Sequence, residues 1–124
     1  MLENLRRSRR TGIVTTRYPD RPEPAPAAYR GQVLLRPDRC TGDGACARVC
    51  PSLAIVVECS DDGGWRWELD DARCVFCGLC AEVCPTAALA LSNEFELAVR
   101  DDAELVTRVT FVPAPAGRGE GRVG

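Results

Sequence analysis

Residues 74–85 constrain this chain more than any other stretch. They read Cys74-Val75-Phe76-Cys77-Gly78-Leu79-Cys80-Ala81-Glu82-Val83-Cys84-Pro85. Three cysteines stand at every third position, a fourth follows four residues later, and proline comes next. Thiolates at i, i+3 and i+6 of a tight loop can point together at three iron corners of one cubane cluster. The fourth cysteine sits on a short helical turn that the proline ends, so its sulfur faces a second cluster. A lone Cys-x-x-Cys would be weak evidence. Four cysteines in this spacing before proline are strong evidence.

The pattern occurs twice. Cys40, Cys46 and Cys50 precede Cys74, Cys80 and Cys84 by 34 residues each. Gly44 matches Gly78, Ala47 matches Ala81, Val49 matches Val83 and Pro51 matches Pro85. Neither half can enclose a cluster alone, so the halves are expected to exchange their fourth cysteines. The glycines at 44 and 78 let backbone amides approach cluster sulfur, where hydrogen bonds tune the potential.

The first copy is broken at one position, where Asp43 stands in place of a cysteine. Two unequal sites follow. Cluster one takes Cys40, Cys46 and Cys84, with Asp43 at its fourth corner. Cluster two takes Cys74, Cys77, Cys80 and Cys50. Three roles for Asp43 compete. Its carboxylate could ligate iron, as a harder ligand than thiolate. That corner could instead lose iron and leave [3Fe–4S]. Asp43 could also be only a turn residue between Gly42 and Gly44, with site one empty. The intact triad around it favours a retained, Asp-ligated [4Fe–4S] that converts to [3Fe–4S] on oxidation. The eighth cysteine, Cys59, fits neither motif. It reads as a small buried hydrophobe, a role as replacement ligand being the sharper alternative.

Composition narrows the remaining classes. The chain has 124 residues, enough for one small domain with arms. Its core is limited, and metal centres can supply part of its stability. A secreted disulfide scaffold is opposed by the cluster-like repeat and by a start with no apolar signal region. The twin arginines Arg6-Arg7 and Arg9-Arg10 raise an export signal, but residues 11–16 are too short and polar for its core. No apolar run approaches the roughly 20 residues of a membrane span. The expected setting is a soluble chain in a reducing cytoplasm. All 16 basic residues are arginine and histidine is absent, so the chain supplies no imidazole ligand or base. No nucleophile–base pair is evident, and no catalytic residue is assigned. A zinc or nucleic-acid module is disfavoured by the spacing and by an acidic core.

Charge divides the chain. Residues 1–30 carry seven arginines against three acids, whereas residues 31–111 carry seven against fourteen. A basic arm on an acidic core suggests docking by the arm. Within residues 1–30, positions 2–10 read as a short helix ended by Gly12, and the prolines of 17–30 as an extended arm. Residues 31–92 read as the two-cluster domain. Strands are expected at 32–35, 54–58, 65–67 and 88–91, with short helices at 46–50 and 80–84. Asp61-Asp62-Gly63-Gly64 reads as a hairpin turn. Residues 93–111 form a C-terminal segment with a helix at 101–109, begun by acids in its first turn. Residues 112–124 read as a disordered tail. The fold class is α+β, a bacterial two-[4Fe–4S] ferredoxin-like core with an N-terminal arm and a short C-terminal helix.

Further residues carry a resemblance. Thr16-Arg17-Tyr18-Pro19, Tyr29-Arg30-Gly31, the run 74–85 and Glu94-Phe95-Glu96-Leu97-Ala98-Val99 follow in order. Across about residues 10–111 the chain resembles the complex I 23-kDa subunit and its formate hydrogenlyase subunit 6 relative. Leu97-Ala98-Val99 and Val109-Thr110-Phe111 look closer to the hydrogenlyase branch. The resemblance implies two [4Fe–4S] clusters passing single electrons within a membrane-associated [NiFe]-hydrogenase or complex I-like assembly. It implies other subunits as partners, no nucleic acid, and a peripheral place on the cytoplasmic face of the inner membrane. Asp43 departs from the family's cysteine. A free soluble ferredoxin is the alternative, and the proline-rich arm argues against it.

Overall fold

The repeat governs how the strands pair. The structure, a computed structural model, describes residues 2–114. Its elements run α1 (Leu2–Thr11), β1 (Val33–Leu35), α2 (Ala45–Val49), β2 (Ile55–Cys59), β3 (Trp65–Asp70), α3 (Leu79–Glu82), β4 (Leu89–Leu91) and β5 (Val106–Phe111). β1 pairs antiparallel with β4, Val33 opposite Leu91, and β2 pairs antiparallel with β3, Ile55 opposite Leu69. Each half thus gives one strand to each sheet. α2 and α3 pack against each other.

The repeat also extends to backbone conformation. Left-handed residues recur 34 positions apart: Gly42 (φ 72°) and Phe76 (φ 50°), Gly44 (φ 69°) and Gly78 (φ 83°), Leu53 (φ 53°) and Ala87 (φ 49°). Phe76, Leu53 and Ala87 hold a conformation that disfavours side chains, so the loop shape outweighs the local preference.

The hairpin between β2 and β3 closes as expected. Ser60 N–H donates to the Gly64 carbonyl at 2.8 Å, and Gly63 takes φ 78°. Along β3 the side chains alternate. Trp67 and Leu69 are buried, at 1% and 0% exposure, and they centre the core with Val33, Ile55, Leu89 and Phe111. The intervening residues face out and pair across strands, Arg66 with Glu58 and Glu68 with Arg108. Such exposed pairs set register more than stability.

The expected C-terminal helix at 101–109 is not formed. Only Asp102–Leu105 make a 3-10 turn, with the Asp101 carboxylate accepting from Ala103 N–H at 2.9 Å. Val106–Phe111 are instead β5, antiparallel to β3, with Trp65 opposite Phe111 and Trp67 opposite Val109. The acids start only this short turn. The β-branched run Val106-Thr107 and Val109-Thr110 then prefers a strand, and the far edge of β3 needed a partner. Residues 94–99 form no regular element. Of the expected tail at 112–124, residues 115–124 lie outside the described residues.

α1 is exposed along its whole length, and Gly12 ends it at φ 65°. No described helix is long and apolar enough to cross a membrane. The second half of the arm lies on the chain's own 92–96 segment. Tyr18 and Tyr29 flank Phe95 with ring centroids at 5.7 and 6.2 Å. Gly31 N–H donates to the Ser92 carbonyl at 2.9 Å, and Ser92 N–H donates back to Gln32 at 2.9 Å. A Cβ on Gly31 would collide with the Glu94 carbonyl oxygen and stand 2.7 Å from that of Ser92. Both are backbone atoms with little room to yield. Gly31→Ala is expected to cost about 1–3 kcal/mol of stability and to speed proteolysis of residues 17–30. Denaturant unfolding and timed digestion of the two proteins measure this.

Candidate metal centres

The first centre is built by a tight loop entering α2. Gly42 lies under Trp65, where a Cβ would approach the indole Cδ2 to 2.8 Å, and Gly44 turns the chain left-handed into the helix. These two residues curl the loop so that Cys40, Asp43 and Cys46 line one cavity. Cys84 of the second half lines the same cavity, beside Trp67 and Leu89. The fourth cysteine of the second motif therefore reaches the first loop.

The second loop repeats this shape with Phe76 and Gly78 as its left-handed residues. Cys77 and Cys50 both lie within electrostatic reach of Cys74, and Cys74 and Cys77 within reach of Cys80. Cys50 thus comes over from the first half. The two sets adjoin through Cys46 and Cys80, the two buried cysteines, which stand within reach of each other.

The exchanged cysteines share a local trap for sulfur. Ala54 N–H donates to Cys50 Sγ at 3.3 Å and Ala88 N–H to Cys84 Sγ at 3.2 Å. The Ser52 hydroxyl lies 3.6 Å from Cys50 Sγ, and that of Thr86 3.7 Å from Cys84 Sγ. Burial pushes both thiols up. At Cys50 the Ser52 hydroxyl and the Ala54 N–H outweigh it, and at Cys84 the Ala88 N–H and the Thr86 hydroxyl do, leaving both below the ordinary thiol value. Four other thiols go the opposite way. Burial raises Cys40, Cys46 and Cys74, and it lifts Cys80 to about 11. Those thiols become thiolates when a cation displaces their protons.

Two further observations bear on whether an iron–sulfur cluster fits. Phe76 N–H donates to Cys74 Sγ at 3.4 Å, so the second loop also offers an amide to sulfur. Trp67 Nε1 is buried without a hydrogen-bond partner among the described residues. Its N–H nonetheless favours a negative sulfur at Cys46. A buried donor left without an acceptor costs about 1–3 kcal/mol. A sulfur-rich group in the adjoining cavity would accept from it. The donor set and its hydrogen bonds fit a cluster.

Asp43 uses its carboxylate locally. Oδ1 accepts from Ala45 N–H at 3.2 Å, the turn expected of an aspartate between glycines. The side chain is exposed yet lines the cavity shared by Cys40, Cys46 and Cys84. Cys59 stands apart. It is exposed at the end of β2, opposite Trp65, and does not line that cavity. The buried reading of Cys59 is thus corrected, because the strand runs past the core before the hairpin turns.

Several contributors were missed in the sequence. Ser52 and Thr86 are 34 residues apart, each directly after a Cys-Pro pair, and the repeat could have revealed them. Arg30 and Arg48, which reach loop carbonyls, give no such signal. Gln32 Nε2, which donates to the buried Asp71 at 2.9 Å, gives none either.

Known proteins are similar to this chain. The 4Fe-4S dicluster domain family matches residues 39–88. Formate hydrogenlyase subunit 6 of Escherichia coli (strain K12) is 44% identical over 103 residues, covering 82% of this chain and 57% of that protein. The chain therefore spans a little over half the length of that relative. Among solved structures, a chain of the membrane-bound sulfane sulfur reductase, an archaeal respiratory membrane complex, is similar with 31% identity and a TM-score of 0.49. That similarity covers 64% of this chain and 43% of the other.

Proposed function

We propose, from the premise that this chain is an iron–sulfur electron-transfer protein with a 4Fe–4S dicluster domain and a relative of formate hydrogenlyase subunit 6, that it relays single electrons between two clusters within a larger oxidoreductase. Cys40, Cys46 and Cys84 hold cluster one, with Asp43 as its fourth ligand. Cys74, Cys77, Cys80 and Cys50 hold cluster two. When bound, such clusters take up and return one electron each at potentials set by their surroundings. The observation that supports this reading is the packing of α2 on α3, which carry Cys46 and Cys80, two buried cysteines within electrostatic reach of each other.

The chain's own residues do the rest. Trp67, Leu35 and Leu89 wall cluster one from water, and the amides of Ala54 and Ala88 hold negative charge on the exchanged sulfurs. The assembly is a membrane-associated [NiFe]-hydrogenase or complex I-like complex, and the chain sits peripherally on its cytoplasmic side. The support is the similarity to a named hydrogenlyase subunit, together with the exposed arginines and the exposed Leu2 and Leu5 of α1. Recovery from gently broken cells only as a small soluble monomer would count against it and for a free carrier.

Asp43 makes cluster one the labile member, a [4Fe–4S] that loses the carboxylate-held iron on oxidation. Anaerobic protein is expected to carry about eight irons per chain and to gain a [3Fe–4S] EPR signal when oxidised. Asp43→Cys is expected to abolish that signal and keep the iron. Eight irons without the oxidised signal in the parent protein would sink the lability.

The exchange of ligands gives a second test. Cys84→Ser is expected to lose cluster one, although Cys84 lies in the sequence run of cluster two. Cys50→Ser is expected to lose cluster two instead. EPR of each variant distinguishes them, since only cluster one can yield the oxidised [3Fe–4S] signal. Loss following the local sequence run would refute the exchange.

A further inference from the structure

Two backbone carbonyls at corresponding loop positions each accept from an arginine, and the arginines come from unrelated places. In the first loop Arg48 Nη1 donates to the Asp43 carbonyl at 2.8 Å. In the second loop Arg30 Nη1 donates to the Cys77 carbonyl at 2.9 Å. Residues 43 and 77 are equivalent in the repeat, and both occupy the second ligand position of their motif.

The sources are not equivalent. Arg48 belongs to α2, one turn beyond its own loop. Its counterpart 34 residues on is Glu82, a carboxylate that accepts hydrogen bonds and cannot replace a guanidinium. The second half therefore has no arginine of its own at this position. Arg30 fills the place from 47 residues upstream, on the arm. The arm holds it there. Gly31 N–H donates to the Ser92 carbonyl and Gln32 N–H to that of Glu94, and Tyr29 packs edge-on against Phe95. The same contact thus occurs in both loops although only one half supplies it from its own helix.

We infer that Arg30 is a positioning and potential-setting residue for the centre built on Cys77, and that Arg48 serves the Asp43 centre in the same way. The inference rests on the two ligand sets proposed above. A guanidinium fixed on the carbonyl of a ligand residue does two things. It holds the loop corner at which that ligand points inward. It also places a permanent positive charge beside a group that becomes more negative on reduction, favouring the reduced form. The contact is exposed, so solvent and salt moderate the effect. Because Arg30 is on the arm, seating the arm on residues 92–95 becomes part of the electrostatics of cluster two.

The test uses the full chain with its clusters loaded, the parent beside Arg30→Gln, Arg30→Lys and Arg48→Gln. Iron and sulfide are measured first, then each cluster is titrated by EPR against ambient potential at low and high salt. Arg30→Gln, which keeps an N–H donor but removes the charge, is expected to keep its iron. It should lower the potential of cluster two alone, several-fold in the reduced-to-oxidised ratio at a fixed poise. Arg30→Lys restores most of the shift, high salt narrows it, and Arg48→Gln moves cluster one alone. Unchanged potentials at full iron content overturn the inference, as does a shift of both clusters together. Loss of iron in both Arg30 variants also overturns it, since Arg30 would then be structural only. A parent protein that fails to hold two clusters contradicts the proposed function instead, a result visible in the first iron measurement.

Discussion

The structure depends on one constraint: neither half of the repeat can complete a sulfur site. Cys84 leaves its own loop and reaches the cavity of Cys40 and Cys46, while Cys50 goes the other way to Cys74. Strand pairing follows the same logic, with each sheet taking one strand from each half. A chain connected in this way cannot form one centre and leave the other half loose. Metal loading and folding are coupled in such a design, because the ligand sets do not exist in the unfolded chain.

The exchanged cysteines also differ chemically from the others. Their thiols sit below the usual value because the Ala54 and Ala88 amides and the Ser52 and Thr86 hydroxyls favour negative sulfur. Cys40, Cys46, Cys74 and Cys80 sit above it, because burial dominates. Cys50 and Cys84 are thus predisposed to be thiolates, whereas Cys40, Cys46, Cys74 and Cys80 lose their protons when a cation displaces them. The left-handed residues Leu53 and Ala87 lie between each exchanged cysteine and its amide donor. Their strain has a local purpose, since it turns the Ala54 and Ala88 N–H groups back toward sulfur.

Much of this was legible in the sequence. Spacing and the 34-residue repeat placed the loops, the short helices, the hairpin and four of the five strands. β5 was not legible, because Asp101–Glu104 start a turn as a helix would, and only the open edge of β3 reveals that the following residues extend it. The buried reading of Cys59 failed for a similar reason, since residue type suggests burial while its place beyond the core decides exposure. Arg30 was invisible because its partner is a backbone carbonyl 47 residues away, and a carbonyl leaves no mark on sequence. Residue-type patterns report repeated local geometry well. They report contacts to backbone across the fold poorly.

The two halves diverge where their outcome differs most. At 43 and 77 one carries aspartate and the other cysteine, while at 48 and 82 one carries arginine and the other glutamate. The first loop pairs a carboxylate with its own nearby arginine. The second keeps full thiolate chemistry but receives its arginine from the arm. A helical Glu82 beside the second loop adds negative charge where Arg48 adds positive charge to the first, so without Arg30 the two electrostatic settings would separate further. Each loop thus holds a guanidinium on the carbonyl at the second position of its motif, one supplied by its own helix and the other by a residue 47 positions upstream.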